Sequence, residues 1–117
     1  MDAAAANAMF RAFADETRLR LLHLLKTGET CVGDIVDTLE LPQPTVSRHL
    51  AHLRRAGLIE ARREGVWRYY RLASADTALH EHLVACLDSC FEDVPVIRED
   101  VKRAAAVKAR GGCCPKR

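Results

Sequence analysis

The sequence predicts a mainly helical domain with one small β-hairpin, and three observations carry that prediction. Apolar residues recur at near-helical spacing through four successive segments of the first half. Over residues 58–72 the period changes to about two, with aromatic and β-branched residues. Two further helical patterns follow. The chain has 117 residues, 49% apolar and 29% charged, which is a globular balance in one ordinary domain. Within it, residues 1–92 are expected to form the main body, and residues 93–117 a C-terminal helix and a cysteine-bearing tail.

Each element has a local reason. Residues 3–13 are Ala-rich with Met9, Phe10 and Phe13, an amphipathic helix. Asp15 is a good N-cap for a helix from Glu16 to Lys26, where Leu19, Leu22 and Leu25 lie about one turn apart. A short helix from Val32 to Leu39 turns Ile35, Val36 and Leu39 inward. Leu41-Pro42-Gln43-Pro44 breaks the chain, and a proline in the first turn opens the next helix, Gln43 to Arg55. Gly57 ends it. Leu58 to Arg62 and Val66 to Leu72 read as strands around a turn at Arg63-Glu64-Gly65. Helices from about Thr77 to Phe91 and from Pro95 to about Arg110 precede a loose tail from Gly111 to Arg117.

Charge is distributed unevenly. Residues 41–71 hold seven arginines against Glu60 and Glu64, a net +5, while residues 1–40 carry −3 and residues 72–117 are neutral. Such an internal basic stretch suits a polyanion. On the helix from Gln43, Val46, Leu50 and Leu53 share one face, opposite Arg48, Ala51, His52 and Arg55. No Asp or Glu occurs from Leu41 to Ile59. A major groove admits one helix, and its readers must be donors. Arg62 and Arg63 at the hairpin add cations that can reach a neighbouring phosphate or minor groove. The predicted architecture is therefore a winged helix-turn-helix, α-α-α-α-β-β-α-α, with double-stranded DNA as partner.

These residues also resemble a known family. Phe13-Ala14-Asp15-Glu16-Thr17-Arg18-Leu19, Cys31-Val32-Gly33-Asp34-Ile35, Gln43-Pro44-Thr45-Val46-Ser47-Arg48-His49-Leu50, and Gly57-Leu58-Ile59 through Gly65-Val66-Trp67-Arg68-Tyr69-Tyr70-Arg71-Leu72 are similar to the ArsR/SmtB metal-sensing repressors. The resemblance implies a homodimer held by the first and fifth helices, operator binding in the free state, and release when a toxic metal or metalloid binds. It implies Gln43, Thr45, Ser47, Arg48 and His49 as DNA-contacting positions.

The sensing site departs from the family's patterns. Arsenic sensors of that family often carry three thiols at the third helix. Here only Cys31 remains, with Gly33 and Val36 at the other two positions, so Cys31 reads as a leftover small residue or a lone auxiliary ligand. His80 and His82 are two apart and point to different faces, which argues against the family's zinc site on the fifth helix. Cys86 and Cys90 are i, i+4 on a helix, and Cys113 and Cys114 are adjacent in the tail. Soft thiolates select soft ions, and trivalent arsenic or antimony prefers three. The expected site is Cys90 with Cys113 and Cys114, with Cys86 as substitute ligand. A straight last helix would carry the tail roughly 20–25 Å from Cys90, so the site is expected to form between subunits of the dimer.

Alternatives on the same scaffold are a thiol redox sensor and an organoarsenical or other soft-metal sensor. A small metallochaperone is a further reading. No His or acid stands at activating spacing to a cysteine and no phosphate-binding glycine loop is present, so catalysis is not expected. Met1-Asp2-Ala3 opens no secretory signal, and no apolar run approaches the ~20 residues of a membrane span, so a cytoplasmic chain without membrane contact is expected.

Overall fold

The computed structural model describes residues 1–112. Its elements are α1 (Ala3–Phe13), α2 (Glu16–Leu25), β1 (Thr30–Cys31), α3 (Val32–Leu39), α4 (Gln43–Arg55), β2 (Ile59–Glu64), β3 (Trp67–Leu72), α5 (Ala78–Ser89) and α6 (Pro95–Ala109). The fold is the mainly helical winged helix-turn-helix that the sequence predicts. The expected caps are in place: Asp15 accepts from the Arg18 amide at 3.0 Å, and Pro44 sits in the first turn of α4.

Two features depart from the sequence reading. A two-residue strand, β1, completes a three-stranded antiparallel sheet in the order β1-β3-β2. So short a strand has no periodicity of its own; it exists because Thr30 and Cys31 pair with Tyr70 and Tyr69. Strand β2 also runs on through Arg63 and Glu64, residues expected in the turn. The loop is only Gly65-Val66, and Gly65 at φ +62° supplies the backbone conformation that its first position demands.

The core gathers Leu21, Leu22 and Leu25 of α2, Ile35 and Leu39 of α3, Val46, Leu50 and Leu53 of α4, and Tyr70 of β3. Helix α6 is fixed to this body through Ile97 and Val107 and by a buried ion pair. Arg20 of α2 donates from Nε and Nη2 to the two oxygens of Asp100 at 2.8 and 2.9 Å, and from Nη2 to the Leu39 carbonyl at 2.7 Å. Arg103 donates to the Asp100 carboxylate and to the Thr38 carbonyl at 2.9 and 2.7 Å. The Asp100 hydrogen bonds hold the Arg20 guanidinium above its ordinary pKa.

Removing one partner of a buried pair leaves an uncompensated charge, at a cost of about 3–5 kcal/mol, whereas replacing both with apolar residues is often neutral. Asp100→Ala is therefore expected to lower the urea midpoint strongly. Arg20→Leu/Asp100→Leu should recover most of that loss. A double variant as unstable as the single one would contradict this account.

Candidate nucleic-acid interface and thiol sites

Helix α4 buries Val46, Leu50 and Leu53 and leaves Gln43, Ser47, Arg48, Ala51, Arg54 and Arg55 exposed. Thr45 and His52 are half-buried on its flanks. The exposed face carries no carboxylate. His49 is placed differently from the other expected readers. Its side chain is only 14% exposed and turns toward α2, where Arg18 Nη1 donates to His49 Nδ1 at 3.3 Å and Asp15 lies 3.9 Å away. Arg18 also donates to the Ala12 and Arg11 carbonyls at the end of α1, so one guanidinium joins α1, α2 and α4.

The wing divides its arginines into two kinds. Arg62 donates to both Glu29 oxygens at 2.8 Å and to Glu64 at 2.7 Å, and its guanidinium lies 4.4 Å from the Tyr69 ring centroid. These carboxylates, Glu29 first, raise its pKa. Arg71 donates to Glu60 at 3.0 Å. Arg62 is thus committed to the sheet rather than projecting from it. Arg63 and Arg68 face each other across β2 and β3, both exposed, and among the described residues neither has an ion-pair partner. Like charges directly opposite are unfavourable in a sheet unless an anion meets them. Arg68 is the exposed cation of the wing that sequence reasoning missed. Its signal was the hairpin register: a two-residue loop at Gly65-Val66 puts it opposite Arg63.

The described thiols differ in state. Cys86 and Cys90 are free, and they sit one turn apart at the end of α5. A hydrogen bond to Cys90 pushes the Cys86 thiol pKa up. Cys31 is wholly buried at the N-cap of α3 and is held in a disulfide. Cys113 and Cys114 lie outside the described residues. His80 is buried and His82 exposed, as their spacing implied. Among the described residues no three His, Cys, Asp or Glu side chains cluster to hold a metal ion.

A basic helix face beside a basic hairpin has counterparts among known proteins. Residues 15–61 match the family model described as bacterial regulatory protein, arsR family. An uncharacterized HTH-type transcriptional regulator of Methanocaldococcus jannaschii is 51% identical over 63 residues, covering 53% of this chain and 71% of that protein. The chain belongs to the arsR family. This arsR-family chain is a DNA-binding transcriptional regulator, not an enzyme. The arsenic resistance transcriptional regulator ArsR1 of Pseudomonas putida is 51% identical over 65 residues, covering 55% of this chain and 51% of that protein. The match therefore spans about half that relative's length. The structure of HlyU from Vibrio cholerae superposes with a TM-score of 0.68 at 34% identity, covering 78% of this chain and 98% of that one. Among the described residues no helix is long and apolar enough to cross a membrane.

Three histidines sit where protonation is resisted. Burial, then Lys26, lowers the pKa of His23; burial, with Arg18 and Arg48, lowers that of His49; burial and nearby cations lower that of His52. The folded chain therefore binds fewer protons than the unfolded one below the ordinary value of 6.5. The stability from this source is full above 6.5 and is lost as pH falls through that value. Urea midpoints measured from pH 7.5 down to 5.5 should fall, and His23→Gln/His49→Gln should flatten the slope. An unchanged slope in that variant would refute the assignment.

Proposed function

We infer that this arsR-family regulator is a homodimeric repressor that leaves its operator when trivalent arsenic, or antimony, binds its cysteine thiolates. The observation that carries the DNA half is the carboxylate-free face of α4 beside the Arg63–Arg68 pair. The readers we assign are Gln43, Thr45, Ser47, Arg48, His52 and Arg55 on α4, with Arg63 and Arg68 on the wing. His49 acts by holding α4 on α2, and Arg62 by stiffening the wing. The two-fold dimer is assigned to α1 and α5. Phe10 stands 53% exposed on α1, and Leu79, Leu83 and Val84 are half-buried on α5. A closed two-fold contact buries such surface and presents two recognition helices to successive grooves.

The inducer half is supported by relatives named for arsenic resistance and by the donors on hand. Thiolates are the soft ligands that such an ion selects. The disulfide at Cys31 favours one second reading, release on oxidation. Fluorescence anisotropy on labelled operator DNA separates the two. Fully reduced protein should release with arsenite and hold with peroxide; the reverse would establish the redox reading, and indifference to both would sink a thiol-based response. In the same assay, Arg63→Ala and Arg68→Ala should each weaken binding and reduce the log–log salt slope by about one. Arg62→Ala should leave that slope nearly unchanged, because its charge is already spent on Glu29 and Glu64.

A further inference from the structure

Helix α6 does not close on the body along its whole length. Between it, the end of α2 and α3 lies a cavity of about 540 Å³. Sites for small organic ligands occupy about 300–1,000 Å³ and combine a mostly apolar wall with a few placed polar groups. The wall here has that composition. Leu24, Val101, Ala104 and Val107 supply apolar surface, and Val101 stands 53% exposed. The other large apolar side chains exposed among the described residues are Met1 and Phe10 at α1, and Val66 and Trp67 at the wing tip. Val101 belongs to neither surface. Its exposure is cavity wall left without a neighbour.

The polar groups along the cavity divide into those already engaged and those still free to meet a ligand. Asp100 is held by Arg20 and Arg103, and Glu29 by Arg62. Asp34 stands against the chain leaving α6, where a Cβ added at Gly112 would lie 2.6 Å from its Oδ2. The cations keep their charge. Lys26 donates to the Leu87 carbonyl, a neutral acceptor, at 2.9 Å, and Lys108 is exposed near the end of α6. Among the described residues neither has an ion-pair partner. His23 is only 9% exposed, and among the described residues its imidazole makes no hydrogen bond. Burial, then Lys26, lowers its pKa, so at neutral pH it offers one donor and one acceptor. A buried polar group without a partner carries a desolvation cost that a ligand recovers.

We propose that this cavity binds a small carboxylate with an apolar body, its head met by Lys26, Lys108 and His23, and that its occupancy regulates DNA binding. The site is separate from any thiol-based response, since no described cysteine lines it. Its walls explain how binding is transmitted. Asp34 and Thr38 belong to α3, the first helix of the helix-turn-helix, and Thr30 to β1. Glu29 lines the same cavity and holds Arg62 of the wing. A ligand that favours one arrangement of these elements changes DNA affinity, and DNA changes the ligand's affinity by the same factor.

The test is calorimetric titration of the full chain, without DNA, with sodium octanoate and with sodium benzoate. The two separate an aliphatic from an aromatic source. At least one should bind at one site per subunit with a Kd of about 1 mM or tighter. Octanol carries the body without the charge, and acetate the charge without the body; each should bind at least about tenfold more weakly. Lys108→Glu should weaken binding by about tenfold. Lys102→Glu makes the same charge change on α6 outside the cavity and should bind as the natural chain does. Ala105→Trp, at an exposed position on the wall, should abolish binding by filling the space. On the natural chain, which needs no variant to fold, the NMR signal of the His23 ring should move and that of His80 should not. In the anisotropy assay the bound acid should shift operator affinity by about fivefold or more. No saturable binding of either acid overturns the site, as does octanol binding as tightly as octanoate or Lys102→Glu as damaging as Lys108→Glu. Binding that leaves operator affinity unchanged overturns the regulatory role. The arsenite response is read separately and stands or falls on its own.

Discussion

The placement of the C-terminal helix depends on the buried pairing of Arg20 with Asp100. Helix α6 offers little apolar surface: Ile97 and Val107 are buried, while Val101 stands 53% exposed. A directional contact adds what these apolar residues lack, a fixed rotation and axial position. The bidentate fork of Arg20 supplies both, because a planar guanidinium meeting a carboxylate at two points tolerates little rotation. The third donation, to the Leu39 carbonyl, brings α3 into the same clamp. With α6 set against α2 and α3, the position of its last turn is no longer free, and Gly112 must arrive at Asp34.

A second constraint governs the wing. β3 is the central strand, and adjacent residues on a strand face opposite sides. Tyr70 enters the main core, and Tyr69 is buried on the other side, where Arg62 covers its ring. A hairpin alone would leave the Tyr69 face wet; the Arg62 guanidinium, held by Glu29, lies over that ring. The cost is that Arg62 loses its freedom to meet a phosphate. The gain is a stiff platform that holds Arg63 and Arg68 side by side at the outer end, where mutual repulsion prepares them for an anion.

Much of this was legible in the sequence, and the failures have physical causes. The helices were readable because caps and apolar spacing are local: Asp15 caps α2, and Val46, Leu50 and Leu53 mark the buried stripe of α4. The non-local pairings were not. Nothing near Thr30 announces a strand whose partner lies some forty residues away. Arg62 and Arg63 are identical neighbours in sequence, and only the register decides which meets Tyr69 and Glu29. His49 sits beside Arg48 in the recognition helix, yet a turn of about 100° between neighbours sends one to solvent and the other to α2.

Two routes therefore lead from remote parts of the chain to the DNA-facing surface. One runs from α1 through Arg18 to His49, since Arg18 donates to the Ala12 and Arg11 carbonyls as well as to the imidazole. It ties the recognition helix to the helix assigned to the dimer contact. The other runs from the end of α6 through Asp34 and Cys31 to Tyr69 and the wing. A ligand changes DNA affinity only if it binds two arrangements unequally. Packed helices offer few small adjustments, whereas a two-residue strand does. β1 is held by its pairing with β3, by the buried Cys31 and, next to it, by the Glu29–Arg62 contact. Any ligand that moved β1 would act on the joint between the body and the wing, and the wing carries the paired arginines.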